Sequence, residues 1–199
     1  NDVYIGGASG YPGRIFVNNG NSEFIMKYQS SFLGDKNFED MGVLFIDVDE
    51  DGDLDLFVAS GGVECVPGSS LLLDRIYLND GLGNFTKGHS SLMPDIRTSS
   101  SVVAAADIDL DGTQEIFIGG RVVPGKYPLS PNSFIIKKIG SNYSDATTKL
   151  APEIKNAGMV TSAIFSDVDI DGWPDLLVTY EWGPVRFFYN DSGFLYDRT

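Results

Sequence analysis

The segment Asp47-Val-Asp-Glu-Asp-Gly-Asp-Leu-Asp55 has acidic residues at its first, third, fifth and ninth positions and glycine at its sixth. The pattern recurs as Asp107-Ile-Asp-Leu-Asp-Gly-Thr-Gln-Glu115 and as Asp167-Val-Asp-Ile-Asp-Gly-Trp-Pro-Asp175. We name these segments acidic loops 1, 2 and 3. They start 60 residues apart in both intervals, and self-similarity at a fixed long period indicates a propeller, a solenoid or another array.

Each acidic loop lies between two short apolar segments. Runs of this length bounded by turn residues are typical of buried β-strands. We therefore predict strands before the loops at Val43–Ile46, Val102–Ala106 and Ala163–Phe165, and after them at Leu56–Ala59, Ile116–Ile118 and Leu176–Val178.

A second element recurs between the acidic loops: an apolar strand, a polar turn and then an aromatic residue. Asn-Gly and Asp-Gly turns supply the positive φ that tight hairpins require. We predict an antiparallel hairpin at each copy, namely Ile15–Gly20 with Phe24, Ile76–Gly81 with Phe85, Phe187–Ser192 with Phe194 and, more weakly, Phe134–Gly140 with Tyr143.

Each repeat thus reads as strand, acidic loop, strand, longer link, strand, glycine turn and strand. Four antiparallel strands in about 60 residues describe one β-propeller blade, so the fold class is predicted to be all-β. The first seven residues align with residues 114–120, which makes Asp2 the ninth residue of another loop. We predict one domain over residues 1–199, with a partial blade at 1–40 and blades at about 41–100, 101–160 and 161–199.

A closed propeller typically has 4–8 blades, which is more than this chain supplies. An open set of blades would leave long unpaired strand edges that invite aggregation. We therefore expect a segment of a larger propeller, in preference to an assembly of several copies.

The acidic loops have the composition of a calcium site. Carboxylates at positions one, three, five and nine, together with the carbonyl of position seven, form an all-oxygen shell. Ca²⁺ takes 6–8 such ligands, whereas Mg²⁺ prefers a rigid octahedral site and keeps its waters. Without a metal, the carboxylates would crowd one small volume and repel one another. The sequence therefore predicts about three Ca²⁺ ions.

Two other interpretations of the loops are possible. An EF-hand shares the opening pattern but needs a Glu at position twelve and flanking helices. Position twelve is Val58, Ile118 or Val178, each inside a strand-like run, so the EF-hand interpretation fails. The loops could also be solvated acidic turns without an ion, although three copies in register with the same glycine argue against that.

The loop pattern, its spacing and the strand after it resemble the FG-GAP or VCBS repeats of integrin-α-like β-propellers. In that family the loop joins two strands of a blade and binds calcium. Glu115 departs from the usual Asp, which makes the second site the least typical. The resemblance implies these ligands: Asp47, Asp49, Asp51, Asp53 (carbonyl) and Asp55; Asp107, Asp109, Asp111, Thr113 (carbonyl) and Glu115; Asp167, Asp169, Asp171, Trp173 (carbonyl) and Asp175.

Other segments resemble one particular group of VCBS-repeat proteins. Asp74–Gly81, Ile118–Pro128, Asp171–Asp175 and Glu181–Pro184 are similar to segments of the bacterial VCBS-repeat proteins related to the cartilage acidic protein and ASPIC/UnbV group. Those proteins are mostly secreted or surface-anchored. The resemblance implies an extracellular or outer-membrane location in a bacterium, with secretion or a lipid anchor.

Composition excludes several classes of function. With 28 acidic and 14 basic residues the formal charge is −14, which argues against nucleic acid and against anionic membrane surfaces. No apolar run approaches the roughly 20 residues that span a bilayer, so we expect no direct membrane insertion. Cys65 and His89 are each the single residue of their kind, which rules out an internal disulfide and a His-rich metal centre.

The long link after the second strand of a blade can carry a ligand surface. Arg121, Tyr127 and Trp182 lie in two such links, near Lys126, Tyr180 and Glu181. An arginine, an acid and exposed aromatic rings can bind a sugar or a peptide. The alternative is that the aromatic rings pack between blades.

Three functions are consistent with these features. The first is a non-catalytic, calcium-stabilised cell-surface propeller that binds a protein or a glycan. The second is a propeller-based polysaccharide lyase or hydrolase, which is disfavoured because nearly all clustered acids belong to the metal loops and no activated nucleophile is evident. The third is a subunit of an outer-membrane uptake or adhesion complex, which differs from the first only in its partner.

Overall fold

The computed structural model describes residues 2–199 and consists mainly of short antiparallel strands; Asn1, the first residue of the predicted partial blade, lies outside the described residues. The strands are β1 (Val3–Ile5), β2 (Arg14–Asn18), β3 (Phe24–Lys27), β4 (Asp40–Ile46), β5 (Asp55–Ser60), β6 (Arg75–Asn79), β7 (Phe85–Lys87), β8 (Ser99–Ala106), β9 (Glu115–Val122), β10 (Phe134–Ile139), β11 (Asn142–Asp145), β12 (Val160–Ser166), β13 (Asp175–Tyr180), β14 (Arg186–Asp191) and β15 (Phe194–Asp197). The helical segments are α1 (Ser30–Gly34), α2 (Thr147–Leu150) and the 3₁₀ turns Ser70–Leu72, Ser90–Leu92 and Pro152–Ile154. No helix within residues 2–199 has the length and apolar character needed to cross a lipid bilayer.

The strands form four separate sheets, and neighbours in the chain are neighbours in each sheet. The first sheet has the order β1-β2-β3, and the second has β4-β5-β6-β7. The third and fourth sheets contain β8 to β11 and β12 to β15 in the same simple order. All paired strands are antiparallel, so the all-β prediction is confirmed at the level of the sheets.

The strands predicted around the acidic loops are confirmed. Each loop joins the first and second strands of a four-stranded sheet, and the ninth loop residue opens the second strand. Asp55 pairs with Ile46, Glu115 with Ala106 and Asp175 with Ser166. Position twelve lies in a strand in every copy, which agrees with the rejection of an EF-hand.

The four predicted hairpins are also confirmed, as β2–β3, β6–β7, β10–β11 and β14–β15. Their turns contain glycines with positive φ, a conformation that side chains with a Cβ rarely adopt. The φ values are 82° at Gly20, 72° at Gly81, 64° at Gly140 and 94° at Gly193.

Three apolar cores lie between consecutive sheets. Successive side chains of a strand point to opposite faces of its sheet, so a central strand contributes to the cores on both of its sides. In β5, Leu56 and Val58 pack toward the first sheet, while Phe57 and Ala59 pack toward the third. In β9, Ile116 and Phe117 divide between the second and fourth sheets in the same way.

The sheets approach one another closely at their first and second strands. A Cβ added at Gly42 of β4 would lie 2.9 Å from the carbonyl oxygen of Ser101 in β8. One added at Gly119 of β9 would lie 2.7 Å from Cγ1 of Val160 in β12. Glycine is needed at both positions because no side chain fits between the neighbouring sheets.

Apolar side chains stay exposed on the sheets at the two ends of the series. On the first sheet, Ile5, Phe24 and Ile25 are at least half exposed. On the fourth sheet, Ile164 of β12 is 61% exposed. By contrast, every residue of β5, a central strand of the second sheet, is buried.

A buried ion pair within the second sheet holds the carboxylate that connects this sheet to the first. The Arg75 guanidinium bonds to Asp40, and both side chains are almost fully buried. The other oxygen of Asp40 accepts hydrogen bonds from the Tyr4 hydroxyl at 2.8 Å and from the Gly7 N–H at 2.7 Å. The Tyr77 hydroxyl also accepts from Arg75, at 3.1 Å. Sequence analysis did not anticipate this network.

Replacing Arg75 by Met should destabilise the protein strongly, because Asp40 would keep a buried charge without its partner. Breaking a buried pair on one side costs about 3–5 kcal/mol. The double variant Arg75→Met/Asp40→Asn should recover part of that loss. Urea unfolding of the three proteins measures both effects.

The control is Arg97→Ala, which removes an exposed pair with Asp95 and should leave the urea midpoint nearly unchanged. Equal midpoint shifts for Arg75→Met and Arg97→Ala would contradict the role of the Asp40–Arg75 pair.

Candidate metal centres

The three acidic loops share one backbone conformation. Position four has a left-handed φ in each, 65° at Glu50, 55° at Leu110 and 64° at Ile170. Position six is glycine with φ of 93°, 92° and 94° in loops 1, 2 and 3. A Cβ on these glycines would meet no atom within 4 Å, so it is the positive φ and not lack of space that favours glycine.

Hydrogen bonds within each loop hold this conformation. The position-one carboxylate accepts from the position-six N–H, at 3.1, 2.9 and 3.0 Å in loops 1, 2 and 3. The position-five carboxylate accepts from the position-seven N–H, at 3.0, 2.9 and 2.9 Å. These bonds hold the carboxylates of positions one and five against the backbone of the loop.

The carboxylate at position nine connects the loop to the third strand of its sheet. Asp55 is fully buried and accepts hydrogen bonds from Val48 N–H at 2.9 Å and from Asn79 N–H at 2.8 Å. Asp175 accepts from Val168 N–H at 3.1 Å and from Asn190 N–H at 2.8 Å. One side chain therefore ties together the loop and two strands in both sheets.

The first sheet retains half of this arrangement. Asp2 accepts a hydrogen bond from the Asn18 N–H of β2 at 3.0 Å, the counterpart of the Asp55–Asn79 contact. This agrees with the assignment of Asp2 to position nine.

Each loop gathers its carboxylates at positions one, three and nine. In every loop these three residues offer oxygens that lie within 4.8 Å of one another, a spacing that could hold a metal ion. The position-five acids are not part of the three groups, and ligation by the position-seven carbonyls stays a prediction. The groups are Asp47, Asp49 and Asp55; Asp107, Asp109 and Glu115; and Asp167, Asp169 and Asp175.

Loop 1 fits a cation on electrostatic grounds. Desolvation and the charges of neighbouring carboxylates, first among them Asp51 and Asp49, raise the pKa of Asp53. Burial also raises the pKa of Asp55. One carboxylate oxygen of Asp53 is buried and has no hydrogen-bond partner. A divalent ion held by Asp47, Asp49 and Asp55 would relieve repulsion of this kind.

Loop 3 also fits a cation on electrostatic grounds. Desolvation and the charge of Asp171 raise the pKa of Asp169. The Tyr189 hydroxyl donates to Asp171 at 3.3 Å, and no cationic side chain of residues 2–199 forms an ion pair with this loop. Its donor set, which contains only oxygen, suits a hard cation such as Ca²⁺.

Loop 2 differs because a lysine occupies it. The Lys137 ammonium donates to both carboxylate oxygens of Asp109 at 2.8 Å, to Asp111 at 2.7 Å and to Glu115 at 2.8 Å. Burial lowers the pKa of Lys137, but these hydrogen bonds outweigh it and raise the pKa overall. The bond from Lys137, the largest contribution, lowers the pKa of Asp111 to about 2. A metal ion does not fit at this centre while the ammonium is there.

Lys137 was not among the residues predicted from the sequence. The sequence feature that could have identified it is the strand Phe134-Ile-Ile-Lys-Lys138, which has a charged residue where the equivalent strands have Leu78, Tyr189 and Val17. The weaker match of this hairpin to the others was therefore informative.

The predicted ligand-surface residues come together at one place on the third and fourth sheets. Glu181 bonds to the Arg121 guanidinium and accepts from the Tyr127 hydroxyl at 2.9 Å. The rings of Tyr127 and Trp182 meet edge to face, with centroids 5.3 Å apart. The two residues are 56% and 67% exposed, so neither ring is enclosed between sheets.

Two substitutions in loop 1 should separate structural from metal-binding roles in metal-free buffer. Asp55→Ala should destabilise the protein, because each buried N–H left without an acceptor costs about 1–3 kcal/mol. Asp49 accepts no hydrogen bond from residues 2–199, so Asp49→Ala should leave the thermal midpoint unchanged or raise it slightly by removing repulsion. Calorimetric unfolding in EDTA measures both, and equal losses would contradict the distinction.

Comparison with known proteins gives one distant similarity. No family model matches the chain. The chain is 25% identical over 201 residues to cartilage acidic protein 1 of Mus musculus, an alignment that covers 97% of this chain and 29% of that protein. The chain therefore spans less than a third of the length of this relative. At low identity, but over nearly its whole length, it is similar to a segment of cartilage acidic protein 1, in agreement with the resemblance of its motifs to that group.

Proposed function

We propose that this chain is part of a non-catalytic, calcium-stabilised extracellular β-propeller that binds a protein or a glycan. The observation that carries the proposal is that the acidic loop recurs between the first two strands of three consecutive sheets. The three copies have similar φ values and the same carboxylate group. An acidic loop repeated between the first two strands would have a structural role in each sheet and leave the remaining surface free for a partner.

The arrangement of the sheets supports a propeller. In a propeller, four-stranded sheets stand side by side around a common axis. Here the first strands β4, β8 and β12 lie next to one another, and the cores lie between consecutive sheets. The exposed apolar faces at both ends of the series are the surfaces that further blades would cover.

Calcium is the favoured ion for loops 1 and 3. Both offer only oxygen ligands from flexible side chains, and Ca²⁺ accepts such irregular shells better than Mg²⁺ does. In these loops Asp47, Asp49 and Asp55, or Asp167, Asp169 and Asp175, would hold the ion. The ion would neutralise the carboxylates that otherwise repel one another, and so stabilise the corner.

An extracellular location is part of this proposal, because extracellular calcium is sufficient to fill loops of this kind. Extracellular calcium-binding modules have dissociation constants of about 10⁻⁴–10⁻³ M, and sensors reach about 10⁻⁷–10⁻⁵ M. Extracellular calcium would fill sites across much of this range. The mouse relative is named for cartilage. Attachment to a bacterial outer membrane, and a bacterial source, stay predictions.

The aromatic cluster near Glu181 is the proposed binding surface. Trp182 lines a cleft of about 260 Å³ together with Tyr180, Pro184 and Arg186, and the exposed ring of Tyr127 packs against Trp182. The ion pair between Arg121 and Glu181 fixes the link that carries Trp182. Exposed aromatic faces with nearby polar groups suit the apolar face of a sugar ring or a peptide side chain.

Calcium should raise the thermal midpoint of the protein, and EDTA should reverse the rise. For a site with a dissociation constant of about 10 µM, 1 mM Ca²⁺ adds roughly 2.7 kcal/mol to the free energy of unfolding. Differential scanning calorimetry with Ca²⁺, Mg²⁺ and EDTA tests this. An identical midpoint in all three buffers would contradict calcium stabilisation.

Replacing Trp182 by Ala should abolish binding to immobilised glycans or matrix proteins and leave the thermal midpoint unchanged, because the ring is largely exposed. The matched control is Tyr28→Ala, which removes another exposed ring, directly after the last strand of the first sheet. Surface plasmon resonance against both kinds of probe measures the effect. Loss of binding in the Tyr28 variant alone would place the partner elsewhere.

A further inference from the structure

The position of Lys137 in the third sheet corresponds to a neutral residue in the other sheets. Ile136 pairs with Ile116 just as Tyr77 pairs with Leu56 and Phe188 pairs with Leu176. The residue that follows in each strand is therefore Lys137, Leu78 or Tyr189. Only in the third sheet does this residue place a positive charge beside the acidic loop.

The Lys137 ammonium lies at the centre of the carboxylates of loop 2. It contacts four carboxylate oxygens of three residues at 2.7–2.8 Å, and its side chain is only 19% exposed. A calcium ion needs the same oxygens at about 2.3–2.6 Å. The ammonium and the metal would thus compete for one volume and one set of ligands.

Glu115 shows a second departure that matches the first. In loops 1 and 3, the position-nine Asp accepts an N–H from the third strand. In loop 2, Glu115 accepts from Ile108 N–H at 2.8 Å with one oxygen and from Lys137 Nζ with the other. The tie between the loop and the third strand is kept, but a side-chain ammonium replaces the backbone donor.

We propose that the Lys137 ammonium is the resident cation of acidic loop 2. This loop then needs no metal ion, and the chain binds two calcium ions, one in loop 1 and one in loop 3. The inference rests on the proposed calcium sites at loops 1 and 3. It gives two ions where the sequence predicts about three, and it accounts for the departure of Glu115 from the pattern. It also predicts that removal of calcium loosens loops 1 and 3 but not loop 2.

The experiment counts bound ions by equilibrium dialysis against Ca²⁺ with elemental analysis. The wild-type chain should bind two ions, Lys137→Leu should bind three, and Leu78→Lys should bind one because it places an ammonium beside loop 1. The control Lys149→Leu removes an exposed lysine on α2 and should still bind two. This control separates the specific effect from the loss of one positive charge.

The outcomes distinguish the inference from the proposed function. Three ions in the wild type would overturn the inference and leave calcium binding intact. Two ions in both the wild type and Lys137→Leu would show that Lys137 does not exclude the ion, and would also overturn it. No ions in the wild type would contradict the proposed function.

A measurement without calcium tests Lys137 independently. In EDTA, Lys137→Leu should lower the thermal midpoint relative to both the wild type and Lys149→Leu, because Asp109, Asp111 and Glu115 lose their partner. Added calcium should restore it in this variant. A midpoint in EDTA equal to that of the wild type would overturn the role of Lys137 as a resident cation, whatever the ion count of the other loops.

Discussion

The structure depends on a buried carboxylate at the last position of each acidic loop. Asp55, Glu115 and Asp175 are fully buried, and each accepts a hydrogen bond from the second residue of its own loop. Each also holds a donor of the third strand. A single side chain therefore sets the turn between the first two strands and fixes the third strand beside them. Because a buried carboxylate without partners is costly, the loop and the sheet have to form together.

The same constraint creates an electrostatic problem. Positions one and three bring further carboxylates within 4.8 Å of the buried one, so each corner concentrates negative charge. An acidic loop of this kind is stable only if a cation balances its negative charge or if some of its carboxylates are protonated. Loop 2 carries the balancing charge in the chain itself. Loops 1 and 3 have oxygens alone, and desolvation together with neighbouring carboxylates raises the pKa values of Asp53 and Asp169.

Much of this could be predicted from sequence because it is local. The nine-residue pattern, the glycine at position six and the flanking apolar runs determine the loop and its two strands within about 15 residues. Lys137 could not be found in this way, because it lies 22 residues from Glu115 and reaches the loop only through the pairing of β9 with β10. The Asp40–Arg75 pair spans 35 residues and joins the first and third strands of the second sheet, so no local motif predicts it. The exposure of Trp182 depends on the packing of neighbouring sheets, which is likewise invisible to a local pattern.

A crystal structure determined with calcium, in which anomalous scattering locates the ion, would show whether loops 1 and 3 bind calcium and loop 2 does not. We expect anomalous peaks in loops 1 and 3, each with oxygens of positions one, three and nine at about 2.3–2.6 Å. We expect no peak in loop 2, where Lys137 Nζ should lie among Asp109, Asp111 and Glu115. Peaks absent from loops 1 and 3, or a peak in loop 2 with Lys137 displaced toward solvent, would contradict this expectation.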